Sequence, residues 1–582
     1  MYTPSSKKVL ATAVLCSLLT TSPVWAAQQA TTTVTTDTNV SKADDPYSKI
    51  EVKSTDAGAL GIAVADYNSA NLHVYMSTDG VINVSAAPTA KNTYADVTGI
   101  QNVRRAASQS DTTLTVTGPA TLTVSATGGE STGVASATGN ARGIDLSSNS
   151  RTSLETVNAT VTATGGKVTG AASGYLATEA TAYGVQVGMA NLTTGAASFT
   201  VTAQGGTVSG SAISAVASAY GVTAWGGTTA IGGDLALTIK SAGGTVAENG
   251  ELAVAYADAY GVRISPYMNP GATYPGSLTV NGAITGSITA QGGTAKLASP
   301  DNSYNGGNLC KATGIDNDSS TLQADGASLT VTAAGGAFTS SLAKYVSASA
   351  AAYGIATSGA HTTAITGATK LTVTATGGTA TTKSDADNSG YAYASADAYG
   401  VDNSYKLYAQ TSSGVTVSTL TLGSLAAEVT ATAGNAQDIG QPGKNSSAYA
   451  TAFGISNGTN TTVQNTNPTA TIKAASADLT VTAAGGTGAD ASAAATGIYN
   501  SASGGTAATA ITGLAKTTVT AAGGNNSTDQ SWAYAIGIGN SAYEATKNDS
   551  KHTHLAYGTA TFQAGSVEST VTATGGSSSA AN

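Results

Sequence analysis

The sequence predicts an all-β protein, an elongated parallel β-helix (β-solenoid) of roughly 40-residue repeats. Three observations predict it. A strand-like segment ending in a double glycine recurs along the chain, as in Leu122 to Gly129, Leu329 to Gly336, Leu371 to Gly378 and Leu479 to Gly486. A second segment of alternating Ala ends in an aromatic-Gly-aliphatic triplet. The composition excludes a bulky globular core, with 70 Gly, 4 Phe and 10% charged residues against roughly 25% charged in ordinary globular domains.

Residues 1–26 come first and read as a secretory signal peptide. Lys7 and Lys8 form a positive start, Val9 to Leu19 is an apolar run, and Val24 and Ala26 occupy the two small-residue positions of a cleavage site. The apolar run is too short for a permanent membrane span. The chain is therefore expected to be exported, to the cell surface, the outer membrane or the medium. Residues 27–55, with Thr31 to Thr38 and Ser41 to Asp45, are polar and aperiodic. They are expected to be a flexible leader or an N-terminal cap.

Residues 56–582 form the repeat array. In Leu371-Thr-Val-Thr-Ala, side chains alternate between faces, so Leu371, Val373 and Ala375 share one and Thr372 and Thr374 the other. β-Branched residues favour the pleat. The double glycine is expected to supply the backbone angles of a turn. Double glycines recur at spacings of 37 to 57 residues, counting the degenerate Gly434-Asn435.

The triplets place Tyr183-Gly184, Tyr220-Gly221, Tyr260-Gly261, Tyr353-Gly354 and Tyr399-Gly400 at equivalent positions, with Phe453-Gly454 following and Thr313 and Thr496 in place of the aromatic elsewhere. In Ala255 to Val262, Ala and Gly fall on one face and Tyr, Asp and Val on the other, unless a bulge at the glycine turns Val262 inward. Either face could be the buried one. The tyrosines are read as stacked structural rungs, with an exposed binding stripe as the alternative. Two coil geometries fit: two coils of roughly 20 residues per repeat, giving a rod on the order of 100 Å, or one coil of about 40 residues. Pro266 to Pro275, Asp301 to Asn308 and Gln437 to Ser447 are expected to be exposed loops.

These repeats resemble the passenger domains of bacterial autotransporters, the type V secretion adhesins. The likeness rests on the signal peptide, the L-T-V-T-A-x-G-G strands, the Y-G-I/V triplets and the near-absence of Cys, and it covers nearly all of residues 27–582. It implies a β-helical passenger exported through a C-terminal membrane β-barrel. No alternating membrane strands follow Gly575-Gly576, so the outer-membrane anchor is expected to be missing from this chain.

Signals for chemistry are sparse. Gly454-Ile-Ser456-Asn-Gly458 has the letters of a nucleophile elbow, but no helix pattern follows it. His552-Thr-His554 lacks an evident third metal ligand. Gly485 to Asp490 matches one calcium nonapeptide start without tandem copies. No P-loop is present, so no cofactor, metal or catalytic residue is assigned. Net charge is −9 and Arg104-Arg105 is the longest basic run, which argues against nucleic-acid binding. Cys310, alone after removal of Cys16, reads as a small buried hydrophobe, with an intermolecular disulfide as the alternative. Thr rows also raise an ice-binding solenoid, which unequal repeat lengths oppose.

The expected function is a non-enzymatic, structural and adhesive surface solenoid that meets a ligand on a host or neighbouring cell. A β-helix polysaccharide lyase or hydrolase is the first alternative. A trimeric adhesin head is the second, because Ala535 to Ser541 resembles trimeric-autotransporter head repeats.

Overall fold

The computed structural model describes residues 38–39 and most of 47–577, with gaps of which the longest are 298–305, 407–416 and 461–467. The signal segment 1–26 lies outside the described residues, as do His552 and the side chain of His554. The molecule is all-β, and nearly every strand pairs in parallel with its counterpart one repeat away. Among the described residues no helix is long and apolar enough to cross a membrane.

Each repeat is one coil. In the coil around Gly354, the strand Tyr345–Ser358 forms one face. The strands Thr362–Ile365 and Thr369–Thr376 form the opposite face. Gly377-Gly378 then leads into the short strand Thr379–Thr382. Register settles the coil size. Tyr183 pairs with Tyr220, Tyr220 with Tyr260, Tyr260 with Thr313, Thr313 with Tyr353 and Tyr353 with Tyr399. The large coil of about 40 residues is therefore the one adopted, and the 100 Å rod of two coils per repeat is not. Twelve rungs, marked by Gly61 through Gly537, span roughly 53 Å at ~4.8 Å per rung. A strand of the preceding rung already lies within residues 27–55, where Tyr47–Ser54 pairs with Asn71–Ala86.

Apolar side chains at equivalent positions stack into columns. Val84, Val124, Val161, Val201, Ile239, Ile288, Val331, Val373, Val429, Val481 and Val519 form one such column, all buried. Leu371, Val373 and Ala375 point into the core, and Thr372 and Thr374 point out. On the opposite face Ala255, Ala257 and Ala259 are buried and Asp258 faces outward. Alternation breaks at the triplet: Gly261 and Val262 are both buried, and the ladder pairs Tyr260 and Val262 while passing over the glycine. The break turns Val262 inward, as a bulge would.

A second, smaller core lies between the short strands and the first half of the long Ala strands, with Phe338, Val346, Ala348 and Ala380 among its members. The double glycines form the waist between the two cores. The Gly378 N–H donates to Ala348 O across the coil at 3.1 Å, and a Cβ on Gly377 would stand 2.5 Å from Gly434 N on the next rung. These glycines do not adopt the left-handed conformation. The expectation that they supply special turn angles is thus corrected: they are glycine because backbones pass too close for any side chain. Their outer side leaves a shallow groove of about 350 Å³ lined by Gly292, Gly335, Gly377 and Gly434.

The three loop expectations change in part. Pro266 to Pro275 contains an antiparallel hairpin, Tyr267–Asn269 with Ala272–Tyr274, whose Met268 is 68% exposed. Asn308, Asp438 and Ser447 are buried strand residues, because each turns its polar atoms to neighbouring backbone or hydroxyl groups. Asn308, for example, donates to Gly293 O and Ala337 O at 3.0 and 2.9 Å.

Candidate functional site: an outer tyrosine ladder and a buried amide column

Two lines of side chains run along the axis beside the glycine column. The glycines come first because they position both. From Gly61 to Gly497, each member, including Gly184, Gly221, Gly261, Gly354, Gly400 and Gly454, meets the next one's carbonyl oxygen where a Cβ would stand. For Gly354 that oxygen is 2.5 Å away, with Leu371 Cδ1 at 3.0 Å and Val373 Cγ2 at 3.1 Å from the opposite face. The chain hugs the core here, and the preceding residue is thrown outward.

That preceding residue is the ladder tyrosine. Tyr183 and Tyr220 stack at 4.7 Å and 9°, Tyr220 and Tyr260 at 5.3 Å, Tyr353 and Tyr399 at 4.9 Å, and Tyr399 and Phe453 at 5.2 Å. The rings lie face to face between rungs, so neighbouring rings cover each other's π faces. Burial pushes the Tyr183 hydroxyl up to about 12, and raises those of Tyr220, Tyr260, Tyr353 and Tyr399 as well. The phenols are therefore un-ionised at neutral pH.

The ladder is interrupted once between Tyr183 and Phe453, at Thr313. Here Lys311 Nζ lies 5.4 Å from the Tyr260 ring centre and 5.2 Å from that of Tyr353, and Arg263 Cζ is 4.9 Å from Tyr260. Arg263 Nε also lies 3.5 Å from Asp316 Oδ2. Burial raises the carboxyls of Asp258 and Asp316, against the pull of Lys311 and Arg263. Thr313 is fully buried, and its hydroxyl has no hydrogen-bond partner. Cation–π attraction of this kind contributes about 0.5–2 kcal/mol per contact.

Three residues beyond the glycines runs the amide column, buried from Asn403 to Asn500 and exposed at its end, Asn540. Asn403 Nδ2 donates to Asn457 Oδ1 at 2.8 Å, Asn457 Nδ2 to Asn500 Oδ1 at 3.2 Å, and Asn500 Nδ2 to Asn540 Oδ1 at 2.8 Å. His361, 3% exposed, joins its upstream end. Neither His361 nor these asparagines were singled out from the sequence. The asparagines had a readable signal, a G-[I/V]-x-N pattern at Gly314 to Asn317, Gly400 to Asn403, Gly454 to Asn457, Gly497 to Asn500 and Gly537 to Asn540.

Ser456 sits in the strand Ser446–Asn460, as a repeat residue rather than at a strand-to-helix elbow. Cys310 is fully buried in the inner Ala column between Ala257 and Ala350. Among the described residues no group of three or more His, Cys, Asp or Glu could hold a metal ion. No family model, curated protein or solved structure matches this chain.

Proposed function

We propose that this chain is an exported cell-surface β-solenoid, the structural and adhesive passenger of an autotransporter-like protein. The single observation that carries the reading is the unbroken parallel ladder from Gly61 to Gly537. Such a ladder makes a stiff rod whose members contact only their neighbours. The N-terminal signal pattern supports export, and the sides of the rod carry exposed apolar groups such as Met268 and Tyr274, which suit contact with another surface. The partner is a ligand on a host or neighbouring cell.

The test is to produce the full chain in a Gram-negative host with and without residues 1–26 and to follow its location by fractionation and surface proteolysis. The protein that reaches the surface is then scored for attachment to cultured epithelial cells and to sister bacteria. Export that depends on residues 1–26, with attachment above that of the empty host, supports the reading. Retention in the cytoplasm, or export without attachment, overturns it.

A further inference from the structure

We propose that the interruption of the tyrosine ladder at Thr313 is a binding slot for one pyranose ring, sandwiched between Tyr260 and Tyr353 in the space the Lys311 ammonium occupies. The inference names the ligand class for the adhesive reading and rests on that reading only for its biological setting.

Elsewhere between Tyr183 and Phe453 a ring stands on every rung, and both faces of an interior ring are covered by its neighbours. At Thr313 the ring is missing, so one face of Tyr260 and one face of Tyr353 look at each other across two rungs, about 9.6 Å. A flat ring fills a gap of this width elsewhere in the ladder, where Tyr220 stands 4.7 Å from Tyr183 and 5.3 Å from Tyr260. A sugar chair, with hydrogens on both of its faces, fits the same gap. Its C–H groups are weakly positive and meet the negative faces of the two rings.

The rim matches the edge of such a ring. Asp258 and Asp316 offer acceptors, and Arg263 and Lys311 offer donors. The floor is the Thr313 hydroxyl, buried without a partner at the position a ring takes on neighbouring rungs. Lys311 is the group that lies over both rings. It is a long, rotatable ammonium side chain, which moves aside for the ring and keeps its charge in water as a donor to a hydroxyl.

The experiment uses the purified full chain on an array of neutral and acidic pyranose oligosaccharides, followed by calorimetric titration with the sugars that register. Thr313→Tyr supplies the missing ring. It is expected to abolish sugar binding while raising the thermal midpoint, which shows that the variant folds. Tyr353→Ala, which removes one wall, is expected to weaken binding about tenfold or more. Absence of binding by wild type to every sugar, or retention of binding by Thr313→Tyr, overturns the slot. Binding of phenol or indole in place of sugars also overturns it. Cell attachment by Thr313→Tyr is measured in parallel. Attachment that persists after failure of the slot leaves the adhesive reading intact, and loss of wild-type attachment with sugar binding preserved removes that reading and keeps the slot.

Discussion

His361 Nε2 lies 2.9 Å from Asn403 Oδ1, and the rest of the column fixes the direction of that bond. Asn403 spends its amide hydrogens on Asn457, so its oxygen faces His361 and must accept. His361 therefore carries its proton on Nε2, shared with the adjoining Ser418 Oγ. Its Nδ1 accepts from Thr363 Oγ1 at 3.4 Å, and Thr363 in turn accepts from Asn317 Nδ2 at 2.8 Å. One polarity runs from Asn317 to Asn540.

A second proton on His361 would oppose that order. Burial holds the imidazole down at about 4, against the opposing influence of Asn403 and Asp318, whereas the unfolded chain titrates near 6.5. Between those values the unfolded state binds a proton that the folded state does not, so stability falls as pH drops from 6.5 to 4. The total is about 3 kcal/mol below pH 4. The buried carboxyls of Asp258, Asp316 and Asp397 are shifted upward and act in the opposite sense, so the clean measurement is the difference between wild type and His361→Gln in urea midpoints at pH 7 and pH 4.5. The wild type should lose more on acidification.

Asn457→Ala removes a residue that bridges Asn403 and Asn500 and also donates to Ala508 O at 3.0 Å. Buried polar groups on both sides lose their partner, at a cost of about 2–4 kcal/mol. Denaturant titration should show a lowered midpoint, and Asn457→Asp at neutral pH should be at least as damaging, because it buries a charge.

Gly354→Ala places a methyl against Gly400 O, Leu371 and Val373. The backbone oxygen cannot step aside, so a loss of about 1–3 kcal/mol is expected. Gly307→Ala is the control: a Cβ there meets only Ser347 Cβ, at 3.9 Å, and the calorimetric midpoint should barely change.

Tyr399→Ala removes stacks with both Tyr353 and Phe453, worth about 0.5–1.5 kcal/mol each beyond the lost burial. Tyr399→Phe keeps the ring and should stay within about 0.5 kcal/mol of wild type. A strong loss for Ala together with unchanged stability for Phe would identify the ladder as a structural element. Unchanged stability for both would shift the tyrosines to a purely recognitive role.

Burial pushes the Cys310 thiol up to about 12, and the thiolate is the reactive form. An aromatic disulfide reagent at pH 7.5 should leave it unmodified for hours in native protein and titrate it in guanidinium.

The alternating Val, Leu and Thr of the strands were legible, because a period of two with β-branched residues has one physical meaning. The identity of Tyr183, Tyr220, Tyr260, Tyr353 and Tyr399 as equivalent positions was legible for the same reason. The coil size was not: a strand alternates in the same way whether its partner is 20 or 40 residues distant, and only the pairing of Tyr353 with Tyr399 decides. The role of Gly377 and Gly378 was hidden because it depends on backbones brought together from separate coils. His361 occurs once, between the bend at Gly359-Ala360 and the strand Thr362–Ile365, so no repetition marked it.

Because each repeat closes a full coil, the molecule separates two dimensions that most folds tie together. The interval between successive column glycines ranges from 37 residues, Gly184 to Gly221, to 54, Gly400 to Gly454, yet each interval advances the rod by the same step of ~4.8 Å. Reach is counted in glycines, and the extra residues spread sideways. A lineage can therefore enlarge, shorten or exchange the lateral segments without altering how far the tip stands from its base, and can lengthen the rod by duplicating one unit without disturbing any decoration already present.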